Sequence, residues 1–336
     1  MAGQKSPIVT LTPSPTLDRT YFVKNLIEGG VNRADRVGEE LAGKGINVSR
    51  GLHLASIPAP GIVPIGNADP GVLERTGSGF LTPLWVEGTL RVSTTVVEYD
   101  GPTTKINEHP RPLKQKDWDA VVALTVQTVK ENDAKWLVVA GAHPEIEETG
   151  EVINLHPLFD AMAELNVRVV LDTSGPALRY WAKQGKATVM KPNAHELAEC
   201  VGRDLETIAD VIDAARELND WGVNCVLASL GIDGIIAVTK THAIHAYTAP
   251  VKVINTVGAG DSTVAGFLAA VTAHPAGEND FGVGFDVAEG ISAAVQWGAA
   301  KVQQPTSGLK SIDNLVESFV ELIPNRDRLL GEPAKA

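Results

Sequence analysis

Short runs of β-branched and aliphatic residues alternate with amphipathic stretches along nearly the whole chain, and this alternation restricts the fold more than any other feature. Ile8 to Leu11, Gly61 to Ile65, Trp136 to Ala140, Val167 to Asp172, Thr188 to Met190 and Cys225 to Ser229 read as strands. Several are continuously apolar, as strands covered on both faces must be. Between them, Asn47 to Ala55, Trp118 to Glu131, Leu155 to Leu165, His195 to Val201 and Leu205 to Trp221 carry helical patterns. Strands alternating with helices predict an α/β fold, a Rossmann-like three-layer α/β/α domain around a mostly parallel sheet. With 336 residues, 44% of them apolar, the chain can build one such domain, with or without an appendage.

One stretch breaks the pattern. Arg91 to Tyr99 alternates polar and apolar residues, Asp100-Gly101-Pro102 signals a turn, and Thr103 to Asn107 follows. This predicts a hairpin solvated on one face, which has no place inside a parallel sheet. Thr20 to Val23 and Arg36 to Glu39 are its companion strands. Residues of about 19–39 and 90–112 are thus expected to form a small β lid on a single domain spanning 1–336. An antiparallel extension of the main sheet's edge is the alternative. The polar residues from about Asn325 onward are expected to fray.

Charge removes whole classes of partner. The formal net charge is -12 and no basic block occurs, so nucleic acid is not expected to bind. The N-terminal MAGQKSPIVTLTPSP lacks the apolar core of a secretion signal, and no run of about 18 apolar residues exists to span a bilayer. No membrane partner and a cytoplasmic location are expected. Cys200 and Cys225 lack CxxC spacing and read as buried free thiols in a reducing compartment. GxxxxGK[ST], GxGxxG, HRD, HExxH and GxSxG patterns are absent, and the eight histidines show no metal-ligand spacing.

The segment richest in chemistry is Val253 to Ala270, VINTVGAGDSTVAGFLAA. A β-prone lead-in reaches Gly258-Ala259-Gly260-Asp261 and opens into a helix of small residues. Glycines one residue apart let backbone N–H groups converge, and the new helix adds unpaired amides and the positive end of its dipole. The product is an anion site suited to a transferring phosphoryl group. Asp261, at or near the N-cap, is either a capping residue or the acceptor of a proton from an attacking hydroxyl.

Asn255-Thr256-Val257-Gly258-Ala259-Gly260-Asp261-Ser262 resembles the C-terminal signature of the ribokinase-like (PfkB) carbohydrate kinases. Within them it is most similar to the group that includes 1-phosphofructokinase and tagatose-6-phosphate kinase. Thr10-Leu11-Thr12-Pro13 through Leu17-Asp18 is similar to the family's first strand and sugar-binding aspartate. Gly43-Lys44-Gly45-Ile46-Asn47-Val48 resembles its glycine-rich sugar loop, and Lys191-Pro192-Asn193-Ala194-His195-Glu196-Leu197 its KPN..EL segment. Ser229-Leu230-Gly231 with Gly234 resembles its nucleotide-side turn. With Asp172-Thr173-Ser174-Gly175, these matches run in family order along nearly the whole chain.

The resemblance implies an ATP-dependent phosphotransferase acting on a sugar hydroxyl, with Asp261 as its proton acceptor. Gly258, Ala259 and Gly260 would form the anion hole. Asp18, Gly43, Lys44, Gly45 and Asn47 would hold the sugar, although Asn47 also reads as a helix N-cap. Lys191, Ser229, Gly231, Gly234 and Thr256 would bind ATP, and Asn193 and Glu196 would face Mg²⁺ through water. A monovalent cation could be a further cofactor, and a homodimer through the lid is implied.

Departures bear on the substrate. The family's GSLP-type turn reads Gly141-Ala142-His143-Pro144, its EPGP-like lid segment reads Glu108 to Pro112, and its TRxN reads Leu90-Arg91-Val92-Ser93. Arg33 and Arg91 could clamp a phosphate with bidentate geometry, and a protonated His143 could add to them. Fructose 1-phosphate is the expected acceptor. The alternatives are tagatose 6-phosphate, fructose 6-phosphate, an unphosphorylated sugar, or a binding protein without turnover.

Overall fold

A computed structural model describes residues 5–99, 101–274, 277, 279–304 and 308–336. The first third runs β1 (Ile8–Leu11), β2 (Thr16–Val23), β3 (Arg36–Ala42), α1 (Lys44–Leu54), β4 (Gly61–Gly66), the one-turn α2 (Val72–Arg75), β5 (Leu81–Val86), β6 (Arg91–Glu98) and β7 (Thr103–Asn107). The middle runs α3 (Gln115–Asn132), β8 (Trp136–Ala140), α4 (His156–Glu164), β9 (Arg168–Asp172), α5 (Gly175–Gln184), β10 (Val189–Met190), α6 (Ala194–Val201), β11 (Leu205–Thr207), α7 (Ile208–Asp220) and β12 (Cys225–Ser229). The remainder is β13 (Ile235–Thr239), β14 (Ala243–Thr248), α8 (Ala259–Ala273), α9 (Val287–Val302), β15 (Ser318–Glu321) and β16 (Leu329–Ala334).

The large sheet has the order β15-β14-β13-β12-β10-β9-β8-β1-β4-β5. It is parallel from β5 through β12 and antiparallel from β12 to β15. Alternation along β8 sends Leu137 and Val139 into one layer and Trp136, Val138 and Ala140 into the other. The first layer packs beneath α3 to α7. The second packs beneath α1, α8 and α9, where Trp136, Phe267 and Phe285 meet edge to face.

The small sheet is separate, with the order β3-β2-β6-β7, so the hairpin is not an edge extension of the main sheet. Strands β2 and β6 pair in parallel, and β3 and β7 flank them antiparallel. Register puts Asp18, Ser93 and Asn107 in one cross-strand row and Thr20, Thr95 and Lys105 in the next on the same face. The opposite face carries Tyr21, Val37 and Val96 in one row and Ile106 in the next. Asp100, of the expected turn, lies outside the described residues, as do the first four residues of the N-terminal segment.

Three expectations about the elements need correction. The helix expected over Leu205 to Trp221 starts only at Ile208, because Leu205–Thr207 pairs as a strand with β16. Thr207 then caps α7 in a reciprocal box with Asp210. The tail beyond Asn325 is not frayed in the structure. It forms β16, buries Leu330 and Ala334, and donates from Arg328 Nη2 and Gly331 N to Asp233 at 2.8 and 2.7 Å. Asn47 is not an N-cap, since α1 already begins at Lys44 with Gly43 in that role. Cys200 and Cys225 are free and buried. No helix among the described residues is long and apolar enough to cross a membrane.

Candidate active site

The carboxyl end of β9 and the first turns of α1 and α8 meet at Asp261. Gly258, at φ 80°, is the N-cap of α8, a left-handed conformation that glycine adopts without strain. Asp261 is therefore the third residue of the helix rather than its cap. The Ala259 amide donates to Thr256 O at 3.2 Å, and the helical ladder opens with Ser262 N to Gly258 O. The Gly260 and Asp261 amides have no chain acceptor among the described residues. With the Gly258 amide, which likewise has no chain acceptor among the described residues, they rather than Ala259 are the donors left for an anion.

Asp261 is buried, and its Oδ2 accepts from Asn47 Nδ2 at 2.7 Å. Burial, and then the charge of Asp172, push its pKa up to about 6, against the pull of Asn47, Lys44 and Lys191. A carboxylate poised near neutrality is matched to general-base work. Asn47 is itself oriented, because Arg50 one turn along α1 donates to its Oδ1 at 3.0 Å while also holding Leu41 O and Glu40. The first turn of α1 can sit this close only with Gly45. A Cβ there would lie 2.5 Å from Thr12 Oγ1 and 2.9 Å from Leu11 O.

Two lysines flank the site through one carboxylate. Asp172, at the end of β9, is buried and meets Lys44 Nζ at 2.7 Å and Lys191 Nζ at 3.4 Å. Burial alone would raise Asp172, but Lys191 and Lys44 outweigh it and hold the carboxyl below its usual range. Burial likewise opposes the Lys44 charge, and Asp172, Glu196 and Asp261 outweigh it, raising that ammonium above the ordinary lysine range. Lys44 is thus charged and held by Asp172. Lys191 reaches under the anion hole, where a Cβ on Gly260 would lie 3.1 Å from its Nζ.

In the small sheet, Asp18 of β2 is pushed up to about 6 by burial and then by Glu40, with Arg91 and Lys105 opposing. Arg91 joins the small sheet to the domain: its Nη2 donates to Ser14 O at 3.0 Å, Nη1 to Glu108 O at 3.2 Å and Nε to Pro15 O at 3.4 Å. Burial lowers its pKa. Arg33 is exposed in the loop between β2 and β3, and no described contact brings it to Arg91. His143 does not carry the charge considered for it. Burial, and then Lys44, pull its pKa down to about 4, and neither ring nitrogen has a partner among the described residues.

Beyond Lys191, Asn193 and Glu196 close a capping box at the start of α6. Asn193 Oδ1 accepts from Glu196 N and Glu196 Oε2 from Asn193 N, both at 2.8 Å. Ser229 bridges to Asn193 and donates its N–H to Pro192 O at 3.0 Å, which places the Ser229–Gly234 turn beside the Lys191 segment. Gly231 and Gly234 both take positive φ in that turn, and Thr256 is exposed at the mouth of the loop before α8.

Residues 14–314 match the family described as pfkB family carbohydrate kinase. The chain belongs to that family. A 1-phosphofructokinase of Haloferax volcanii is 35% identical over 272 residues, 78% of this chain and 83% of the relative. A 1-phosphofructokinase of Bacillus subtilis is 31% identical over 285 residues, 82% of this chain and 89% of the relative. Among solved structures, phosphofructokinase-2 from Escherichia coli in complex with potassium superposes with a TM-score of 0.77 at 26% identity, covering 92% of this chain and 96% of that one. The Rossmann-like reading holds, and its neighbours are pfkB kinases.

Three polar residues of this pfkB kinase site escaped the sequence reading of its side chains. Asp172 stood in a matched segment but carries its role only through the lysines that fold onto it. Arg50 follows Asn47 by one helical turn, a spacing legible once α1 is known. Lys105 shares the site-facing side of the small sheet with Asp18, and its charge acts on that carboxyl. The alternation of Thr103 to Asn107 shows two faces but not which of them meets the domain.

Proposed function

We propose that this chain is a 1-phosphofructokinase, transferring the γ-phosphoryl group of ATP to the free terminal hydroxyl of fructose 1-phosphate. The observation that carries the chemistry is Asp261, buried, held by Asn47 at 2.7 Å and poised near neutrality beside the open amides of α8. The two relatives named 1-phosphofructokinase support the substrate. Asp18 and Asn47 orient the sugar, and Asp261 takes the hydroxyl proton as the oxygen attacks. The Gly260 and Asp261 amides with Lys191 stabilise charge on the moving phosphoryl group. Arg91 serves the substrate phosphate with its remaining N–H groups, together with Lys105 and Arg33.

Mg²⁺ would accompany ATP. No group of three His, Cys, Asp or Glu among the described residues could hold it directly. Glu196 Oε2 and Asn193 Oδ1 already accept within their capping box, so the second Glu196 oxygen fits contact through water. When bound, the ion would neutralise charge between the β- and γ-phosphates. A monovalent cation has its precedent in the potassium complex of the Escherichia coli relative.

We assign 1–336 to one domain whose small sheet closes over the sugar as a lid, excluding water that would hydrolyse ATP. Its outer face exposes Val37 by 50% and Ile106 by 64%, with Val31 exposed by 78% in the adjoining loop, which supports a homodimer through the lid. Two buried, unpaired cysteines fit a cytoplasmic location. The test is coupled ADP release over fructose 1-phosphate, tagatose 6-phosphate, fructose 6-phosphate and fructose. Fructose 1-phosphate should give the highest kcat/KM, and a preference for free fructose would refute the proposal.

A further inference from the structure

Lys301, next to the last residue of α9, has no surface open to water. Buried lysines are uncommon and normally meet a carboxylate. The one hydrogen bond of Lys301 among the described residues instead runs from Nζ to the Asn255 carbonyl at 3.2 Å. The same helix end grips the same segment through the backbone, since Ile254 N and Asn255 N both donate to Val302 O, at 2.7 and 3.1 Å. Asn255 Oδ1 then accepts from Val257 N at 2.9 Å, and Gly258 follows as the N-cap of α8. An ammonium group therefore stands behind the loop that presents the open amides. Burial brings its pKa down to about 8 and Lys105 adds to this, while Asp261 opposes them, so the charge is present at neutral pH.

A backbone carbonyl facing a closed, dry space is what a small monovalent cation coordinates in exchange for its water. An ammonium on a side chain fills that place with the same charge and nearly the same size. We propose that Lys301 is a built-in monovalent cation: it holds the Asn255–Val257 segment by its carbonyl and sets positive charge behind the anion hole, so that phosphoryl transfer in this chain needs no added potassium. Lys301 touches neither sugar nor ATP and is a positioning residue. The inference rests on the phosphoryl-transfer reading of the α8 loop.

The test compares wild type, Lys301→Ala and Lys301→Met in buffers whose only cation besides Mg²⁺ is tetramethylammonium, and again with KCl or NH₄Cl. Wild-type kcat should be the same in all three. Lys301→Ala should lose about 10- to 100-fold in kcat in tetramethylammonium, the range for groups acting through a contact residue. Potassium or ammonium should restore most of that loss, and the KM for fructose 1-phosphate should not move. Lys301→Met, which fills the space without charge, should lose turnover and regain none. Thermal unfolding without substrate gives a second readout: KCl should raise the Tm of Lys301→Ala and leave wild type unmoved. That arm decides the matter even for a chain found inactive on fructose 1-phosphate. A wild type that needs potassium, a Lys301→Ala or Lys301→Met variant as fast as wild type in tetramethylammonium, or a folded Lys301→Ala that no cation rescues would each overturn the proposal.

Discussion

The Asp261 end of the candidate site and its small-sheet end, which we propose to be the catalytic and the sugar end, are built by different means. Around Asp261 nearly every polar group is fixed within the chain: Asn47 holds the carboxylate, Arg50 holds Asn47, and Asp172 holds two lysines. Such preorganisation lets dipoles act without rearranging during reaction. The sugar end is looser. No hydrogen bond among the described residues fixes the Asp18 carboxyl, Arg33 is exposed on a loop, and the ring of His143 has no polar partner among the described residues. On the proposed roles, the phosphoryl-transfer chemistry is built in advance and the substrate side is left for the substrate to complete.

Changes at the two ends should therefore separate in kcat and KM. The largest effect belongs to Asp261→Asn, which keeps size and loses the proton acceptor. Its kcat should fall by about 10²–10⁴-fold while ATP binding persists. The same variant should be more stable than wild type above pH 6. A carboxyl raised from 3.8 to about 6 by folding destabilises the chain fully above the higher value, and the penalty vanishes below the lower one. Thermal unfolding at pH 8 and pH 4 reads this: the variant's advantage should appear at the first and be gone at the second. Equal kcat in the two proteins would erase the distinction between the ends.

Arg91→Ala should act on the other parameter. Charge-assisted bonds to a phosphate contribute roughly 1.5–3 kcal/mol, so the KM for fructose 1-phosphate should rise by about tenfold or more with little change in kcat. Arg91→Lys should not restore it, because a point charge cannot bridge three carbonyls and a phosphate. A drop confined to kcat would place Arg91 with the catalytic group instead. The smallest effect is at His143. With its pKa at about 4 the ring is neutral from pH 6 to 8, so wild type and His143→Gln should show parallel, flat KM profiles across that range. A KM that climbs with pH in wild type alone would return the histidine to the phosphate.

The same division governs what could be read in advance. Local signals were sufficient for the parallel strands other than β5, for the GAGD-to-helix transition and for the split between hairpin and main sheet, because each depends on periodicity and glycine chemistry within a few residues. Asp172 and Lys105 act across the fold on partners far away in sequence, while Arg50 acts on the nearby Asn47 and Leu41 in a way that shows only once α1 is placed. The tail escaped for a related reason. Its polar composition reads as fraying, while its order comes from pairing β16 with β11 and from Asp233. Nor could composition show that the His143 ring is shielded from water near Lys44, which keeps it neutral at the mildly acidic pH where an unperturbed histidine takes up a proton.

The central claim is that a buried carboxylate at the head of α8 takes the proton of the attacking hydroxyl. The most direct measurement is kcat against pH from 5 to 8 with fructose 1-phosphate and ATP saturating, so that Asp18 is already engaged by sugar. A base with its pKa at about 6 predicts kcat rising about tenfold per pH unit below that value and levelling off above it. A wild-type profile flat through pH 6, or one whose acid limb survives unchanged in the residual activity of Asp261→Asn, would contradict the claim.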